Sequence, residues 1–307
     1  MIKKKIPNLF IVGSAKAGTT SLYNYLKCHP DIYMCPIQDI AYFCTDIHKK
    51  SDLYHKKKKY YPYRTKKSYL NLFKKNRKVI GEVSRTYLIS HDAPKKIYKF
   101  NQDAKIIILI REPIQMLYAL HSIYLYYQNE TICDFEKALK AEKERKKGKM
   151  IPPRVGFPGA LYYSEIAKTS KYIKKYYKYF PKKQIMLILF DDLKKNPNKI
   201  LNKVYEFLDV KPMNLKKFKT YNKNKKIRFV KIQSFIYTSH IKKKIRKLLP
   251  NSVKTNAKKI ILNLISKNVK RPSLRKDLKR TLKKKFKKEV KALSGLLDID
   301  LINLWDY

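Results

Sequence analysis

The stretch Gly13-Ser14-Ala15-Lys16-Ala17-Gly18-Thr19-Thr20 constrains the fold more than any other part of this chain. It follows the apolar, β-branched run Leu9 to Val12 and opens the amphipathic pattern Ser21 to Cys28. The order is therefore strand, loop of small residues, helix. Small residues let backbone N–H groups close on an oxyanion, and the helix N-terminus adds its partial positive charge. Lys16 supplies a point charge, and Thr19 and Thr20 supply further donors. The plain alternative is an ordinary strand-to-helix turn capped by Thr.

The phosphate loop of nucleoside triphosphatases reads GxxxxGK[ST], with Lys directly after the second Gly. Gly13 and Gly18 keep that spacing here, but the Lys has moved inside the loop, to Lys16. In those enzymes a second strand ends in an Asp that holds magnesium. The strongest strand signal here, Lys105 to Ile110, ends instead in Arg111-Glu112-Pro113. An Arg suits an anion directly, so the pattern predicts a phosphorylated nucleotide as ligand and no metal.

Further short apolar runs, Val79 to Gly81 and Ile185 to Phe190, read as buried strands. Between them lie helical patterns over Ser68–Lys75, Ala93–Phe100, Ile114–Tyr127, Asp134–Lys146, Tyr163–Tyr179 and Lys199–Leu208. The alternation predicts an α/β fold of P-loop type: a central parallel β-sheet flanked by helices on both faces. After about Leu215 no strand signal remains. The rest reads as Lys-rich helix, ending in Leu274–Leu297 and Leu301–Trp305, a helical C-terminal layer on the same domain. No Pro-, Gly- or Ser-rich linker divides the 307 residues, so we expect one domain over 1–307, with an α/β core over about 7–215 and a closing loop and helical part over 216–307.

The charge balance is extreme: 73 Lys and Arg against 23 Asp and Glu, a formal +50. A 44% apolar and 13% aromatic content is enough for a real core, which excludes a disordered polycationic arm. Two readings of the excess stand. One is a polyanionic partner drawn by the positive field. The other is compositional drift, because Lys, Asn, Ile and Tyr are abundant together while Gly occurs 7 times and Trp once. The basic runs are spread along the chain without zinc-finger, homeodomain or RNP spacing, so no specific nucleic-acid binding is expected. Cys28, Cys35, Cys44 and Cys133 form no CxxC pair, which argues against zinc. No run approaches the ~18–20 apolar residues of a membrane span, and the apolar run near the N-terminus is too short for a signal peptide.

With these stretches in place, the chain resembles the PAPS-dependent sulfotransferases, particularly the branch of bacterial enzymes and heparan sulfate N- and O-sulfotransferase domains. The most specific piece is Ile11 to Leu22, continuing through Leu26 and His29-Pro30, which is similar to that family's loop for the 5′-phosphosulfate. Gly81 to Leu88, Arg111-Glu112-Pro113, Phe190 to Leu193, Asn196-Pro197, Phe207-Leu208 and finally Leu282, Phe286, Leu293 and Trp305 follow in the family's order. The resemblance covers Pro7 to Trp305.

The resemblance implies transfer of the sulfuryl group of 3′-phosphoadenosine 5′-phosphosulfate (PAPS) to a hydroxyl or amine, with release of adenosine 3′,5′-bisphosphate (PAP) and without metal. It implies that Lys16 neutralises the leaving phosphate, that Ala17, Gly18, Thr19, Thr20 and Ser21 complete the donor loop, and that Arg111 grips the 3′-phosphate. The family carries a Lys-Glu pair after its second strand; in Pro36 to Phe43 here, Gln38 falls on the Lys and Asp39 on the catalytic Glu. Asp39 is thus the candidate base, with Glu82 in reserve. Many relatives place a Ser eight positions after the Arg; here that position is Ala119, and Ser122, one helical turn on, is its candidate substitute. Asn222 and Arg228 fall in the family's donor-closing segment.

The acceptor implied by relatives is a carbohydrate. Two alternatives stay open: a P-loop nucleotide kinase, and a catalytically impaired polyanion-binding protein on the same fold, which Gln38, Asp39 and Ala119 keep alive. Because the first strand begins almost at residue 9, a cytoplasmic location is expected.

Overall fold

The structure, a computed structural model, describes residues 6–56, 60–215, 217–218 and 271–307, together with the backbone of two short strands at 225–227 and 266–268. Five strands form one parallel sheet: β1 (Leu9–Gly13), β2 (Ile32–Met34), β3 (Val79–Val83), β4 (Lys105–Ile110) and β5 (Ile185–Leu189), in the order β2-β3-β1-β4-β5. β1 sits at the centre, with Leu9 level with Gly81 of β3 on one side and Lys105 of β4 on the other.

Side chains alternate across a strand, and both faces of this sheet are covered. Phe10, Val12, Ile106, Ile108 and Ile110 pack on one side with Tyr87, Ile97, Tyr172, Tyr176, Val290 and Leu293. Leu9, Ile11, Ile107 and Leu109 pack on the other with Leu22, Leu26, Leu201 and Val204. That double burial is why β1 and β4 are continuously apolar in sequence.

The helix Lys276–Leu297 belongs to the first of these layers. Val290 and Leu293 pack in it, Leu282 and Phe286 pack with Ile114, Leu117 and Tyr163, and all four recur at helical spacing, while most of the lysines between them are exposed. Its Glu289 accepts from the N–H and hydroxyl of Ser170, both at 2.7 Å, tying it to the helix Thr169–Tyr177.

Several expected boundaries move. Phe190 starts the helix Phe190–Lys195 instead of ending β5. The stretch Asp134–Lys146 divides at Ala141, and Tyr163–Tyr179 divides into Tyr163–Ile166 and Thr169–Tyr177. β2 gave no sequence signal because three residues are too few to show a period. The part after Leu215 is not wholly helical: 225–227 and 266–268 pair as antiparallel strands. Lys-rich segments hide such pairing, since every residue type there is exposed-compatible. No helix among the described residues is long and apolar enough to cross a membrane.

Candidate functional site

The carboxyl ends of β1, β3 and β4 lie side by side, where ligands of open α/β sheets bind. β1 delivers the loop Gly13–Gly18. Gly18, at φ 91°, caps the helix Thr19–Leu26, and a Cβ on it would press within 3.2 Å of both Leu193 and Phe190. Lys16 itself holds a left-handed φ of 60°, a conformation costly for a side chain with a Cβ and concentrated at functional sites. β4 delivers Arg111, whose guanidinium donates to the Lys16 carbonyl at 2.8 Å and stacks 4.4 Å from the Phe190 ring centroid. The neighbouring Glu112 caps the helix Pro113–Tyr127 by accepting from Ile114 and Gln115 N–H, and also accepts from the Tyr307 hydroxyl. Trp305 donates to Asp191 at 3.1 Å, so the C-terminal segment braces this end of the sheet from two directions.

β3 delivers Arg85. The chain after β2 runs along it, with Cys35 N–H donating to Gly81 and Asp39 N–H donating to Val83, at 2.8 and 2.7 Å. This brings Asp39 to Arg85. Oδ1 of Asp39 accepts from the Arg85 main-chain N–H at 3.0 Å, and Oδ2 accepts from Nε and Nη2 at 3.1 and 2.6 Å. Asp39 and Ala41 both hold left-handed φ values, 56° and 55°, and the turn between them is fixed by Ala41 N–H donating to Ser84 Oγ.

These groups enclose a cleft of about 640 Å³ lined by Lys16, Gly18, Thr19, Thr20, Ser21, Gln38, Asp39, Arg85, Arg111 and Lys194, among others. Asp39 is the one acid among the described lining residues. Burial lowers the Lys16 pKa to about 8, with Arg85, Arg271 and Arg111 pressing in the same direction. Burial and Arg271 lower Arg111 to about 10, against the pull of Asp191 and Glu112. Cations forced together in this way form a site prepared for an anion of high charge.

The remaining predicted residues fall elsewhere. Ala17 is buried under the loop, its N–H donating to Ser14. Ala119 is buried in the helix. Ser122 is bonded to the Tyr118 carbonyl at 2.9 Å and accepts from Arg271 Nε at 3.1 Å, so it holds an arginine instead of lining the cleft. Glu82 is wholly buried and accepts from Tyr69 and Tyr87 at 2.7 and 2.9 Å, away from the cleft lining. Asn222 and Arg228 lie outside the described residues.

The sulfotransferase domain family matches residues 7–292. The chain belongs to this family. Among curated sulfotransferases, it is 27% identical to heparan sulfate glucosamine 3-O-sulfotransferase 5 of Mus musculus over 218 residues, covering 68% of this chain and 55% of that one. It is 22% identical to carbohydrate sulfotransferase 15 of Rattus norvegicus over 261 residues, covering 69% and 45%. The chain thus spans about half the length of these curated relatives. A crystal structure of a sulfotransferase from Alicyclobacillus acidocaldarius aligns over 99% of this chain and 100% of its own, with a TM-score of 0.71 and 22% identity, a likeness of fold.

Around this cleft, sequence alone missed Arg85, which lines it, and Arg271, which acts on Lys16 and Arg111. Arg85 stands inside the stretch Gly81–Leu88, which carried part of the resemblance, but nothing local shows that its side chain meets Asp39. Arg271 lies in Lys-rich sequence, where one cation among many carries no signal.

Proposed function

We propose that this chain transfers the sulfuryl group of PAPS to a hydroxyl or amine, on a carbohydrate acceptor, releasing PAP. The observation that carries the reading is the convergence of Lys16, Arg85 and Arg111 at the strand ends, with Arg271 near enough to act on Lys16 and with Asp39 as the single acid among the described residues of that cleft. The cleft's volume lies within the about 300–1,000 Å³ of small-molecule sites.

In this reading the loop N–H groups and Lys16 hold the 5′-phosphosulfate, and Arg111 supplies a planar fork for the 3′-phosphate. The acceptor oxygen or nitrogen attacks sulfur in line. A new bond to sulfur forms as the bond from sulfur to the bridging oxygen breaks, and its electron pair stays on the 5′-phosphate, where Lys16 offsets the charge. The acceptor proton goes to Asp39. Three Arg85 donors, the main-chain N–H, Nη2 and an Nε shared between the two oxygens, meet a carboxylate with about four lone-pair sites, so acceptance of a proton is compatible with that grip. Ser122 contributes through Arg271. The names of the curated relatives support a carbohydrate acceptor, and the family assignment favours this reading over the kinase and the impaired polyanion binder.

Calorimetry tests it: PAP should bind tighter than ADP with magnesium by at least about tenfold, because the 3′-phosphate gains charge-assisted hydrogen bonds. Tighter binding of ADP with magnesium would reject the reading.

A further inference from the structure

Behind the Asp39–Arg85 pair lies a second cavity, of about 300 Å³. It shares Asp39 and Arg85 with the cationic cleft, and its lining includes Gly13, Ser14 and Ala15 of the loop. It therefore meets the cleft at the candidate base, where an acceptor must sit for in-line attack. Its character is opposite to the cleft's. Tyr60, Tyr61, Tyr63, Tyr124 and Phe157 line it beside aliphatic side chains, and Asn129 adds an amide. Among the described lining residues the charges are Asp39 and Arg85, which pair with each other at 2.6 Å. Burial pushes the Tyr124 phenol up to about 12 and that of Tyr61 well above the ordinary value, so these two stay uncharged.

So in a chain of formal charge +50, the described residues lining the cavity at the candidate base carry no net charge. Among these residues a carboxylate or sulfate on a ring would be desolvated without a free counter-charge, which disfavours a charged ring. The volume sits at the small end of ligand sites, about one ring's worth. Aromatic faces suit the C–H faces of a ring, while phenol and amide groups suit hydroxyls. A plain apolar phenol would leave those polar groups without partners.

We propose that this cavity takes a single uncharged, polyhydroxylated ring, so that the residue sulfated is a neutral sugar. The inference rests on the sulfotransferase reading above: the ring hydroxyl forms the new S–O bond, its proton passes to Asp39, and the electron pair of the broken S–O bond leaves on PAP. Any acidic groups on the rest of an acceptor stay outside, in the field of the surface lysines.

The test measures sulfate transfer from PAPS to methyl glycosides: neutral hexosides, the matching uronides and 6-sulfates, and phenol. Neutral hexosides should exceed the charged rings in kcat/KM by at least about 100-fold, and phenol should be poorer than the hexosides. Equal use of charged rings, preference for phenol, or no transfer to any neutral hexoside by a PAP-binding protein would each reject the proposal. Ala160→Leu, which fills the cavity wall, should abolish hexoside turnover with PAP affinity unchanged, and Tyr124→Phe, which keeps the packing volume, should raise hexoside KM about fivefold or more by removing one hydrogen-bonding group. Unaltered hexoside kinetics in both variants would also reject it. If wild-type protein failed to bind PAP, the sulfotransferase reading would fall, and with it this cavity's assignment.

Discussion

Arg85 holds the carboxylate of Asp39 from two directions, main-chain N–H on Oδ1 and guanidinium on Oδ2, at the point where the cationic cleft and the tyrosine-lined cavity meet. In the proposed reaction the pair fixes where the acceptor's proton goes. A Lys at position 85 would keep the charge and lose the fork. Arg85→Lys is therefore expected to lower kcat about tenfold or more through a misplaced carboxylate, with KM for PAPS changed less than threefold by order of magnitude. Steady-state kinetics with both substrates varied checks this, and an unchanged kcat would remove Arg85 as the positioning residue of Asp39.

Asp39→Asn keeps a side chain of the same shape and removes the proposed base. Sulfate transfer should fall by about 10²–10⁴-fold, while PAP affinity measured by calorimetry stays within a few-fold of wild type. Transfer at the wild-type rate would return the search for a base to other groups.

Lys16 carries a pH signature. Its pKa in the folded chain is lowered to about 8 by burial and by Arg85, Arg271 and Arg111, below its ordinary 10.5. The unfolded chain then holds more protons than the folded one between those values, so Lys16 contributes a rise in stability with pH across that window and opposes stability below it. An anionic ligand reverses the pressure. PAP binding should take up a proton near pH 8, and affinity should fall by up to about tenfold per pH unit above that. Calorimetry in buffers of different ionisation enthalpy measures the uptake, and it should vanish in Lys16→Met. Pure enthalpy differences without proton uptake would contradict the assignment.

Glu82 separates a structural carboxylate from a catalytic one. Burial raises its pKa to about 7, against the lowering effect of the hydrogen bonds from Tyr69 and Tyr87. The folded chain therefore binds this proton more tightly than the unfolded chain, and stability is lost as pH rises from about 4.5 to 7. Glu82→Gln keeps an acceptor for both phenols and should lack that loss, on the order of 3 kcal/mol relative to wild type, while sulfate transfer persists. Glu82→Ala leaves two buried hydroxyls unpaired and should destabilise by about 2 kcal/mol or more. Urea unfolding at pH 5 and pH 8 distinguishes the three proteins. Loss of transfer in a folded Glu82→Gln would reinstate Glu82 as a base.

The strands β1 and β4 and the loop between Gly13 and Thr20 were legible in sequence because burial on both faces makes a run continuously apolar and because oxyanion contact demands small residues at fixed spacing. The helix Lys276–Leu297 was legible for the same kind of reason, its apolar residues standing out at helical period against lysine. Lys16 and Arg111 could be placed because each sits next to such an element, and Asp39 only through the resemblance of Pro36–Phe43 to the family's motif. Sequence could not say that Ser122 turns to Arg271, that Glu82 turns inward to two phenols, or that Arg85 and Arg271 crowd Lys16. Nor could it show that tyrosines from residues 60–63 and 124 share one cavity whose described charges, Asp39 and Arg85, pair with each other. Those relations join residues far apart in the chain, and they arise where strand order places β3 between β2 and β1 and brings three carboxyl ends together. A local pattern records what one element buries. Which charges meet across elements is decided by the tertiary fold, because Coulomb interactions and desolvation depend on distance and burial in space and not on separation along the chain.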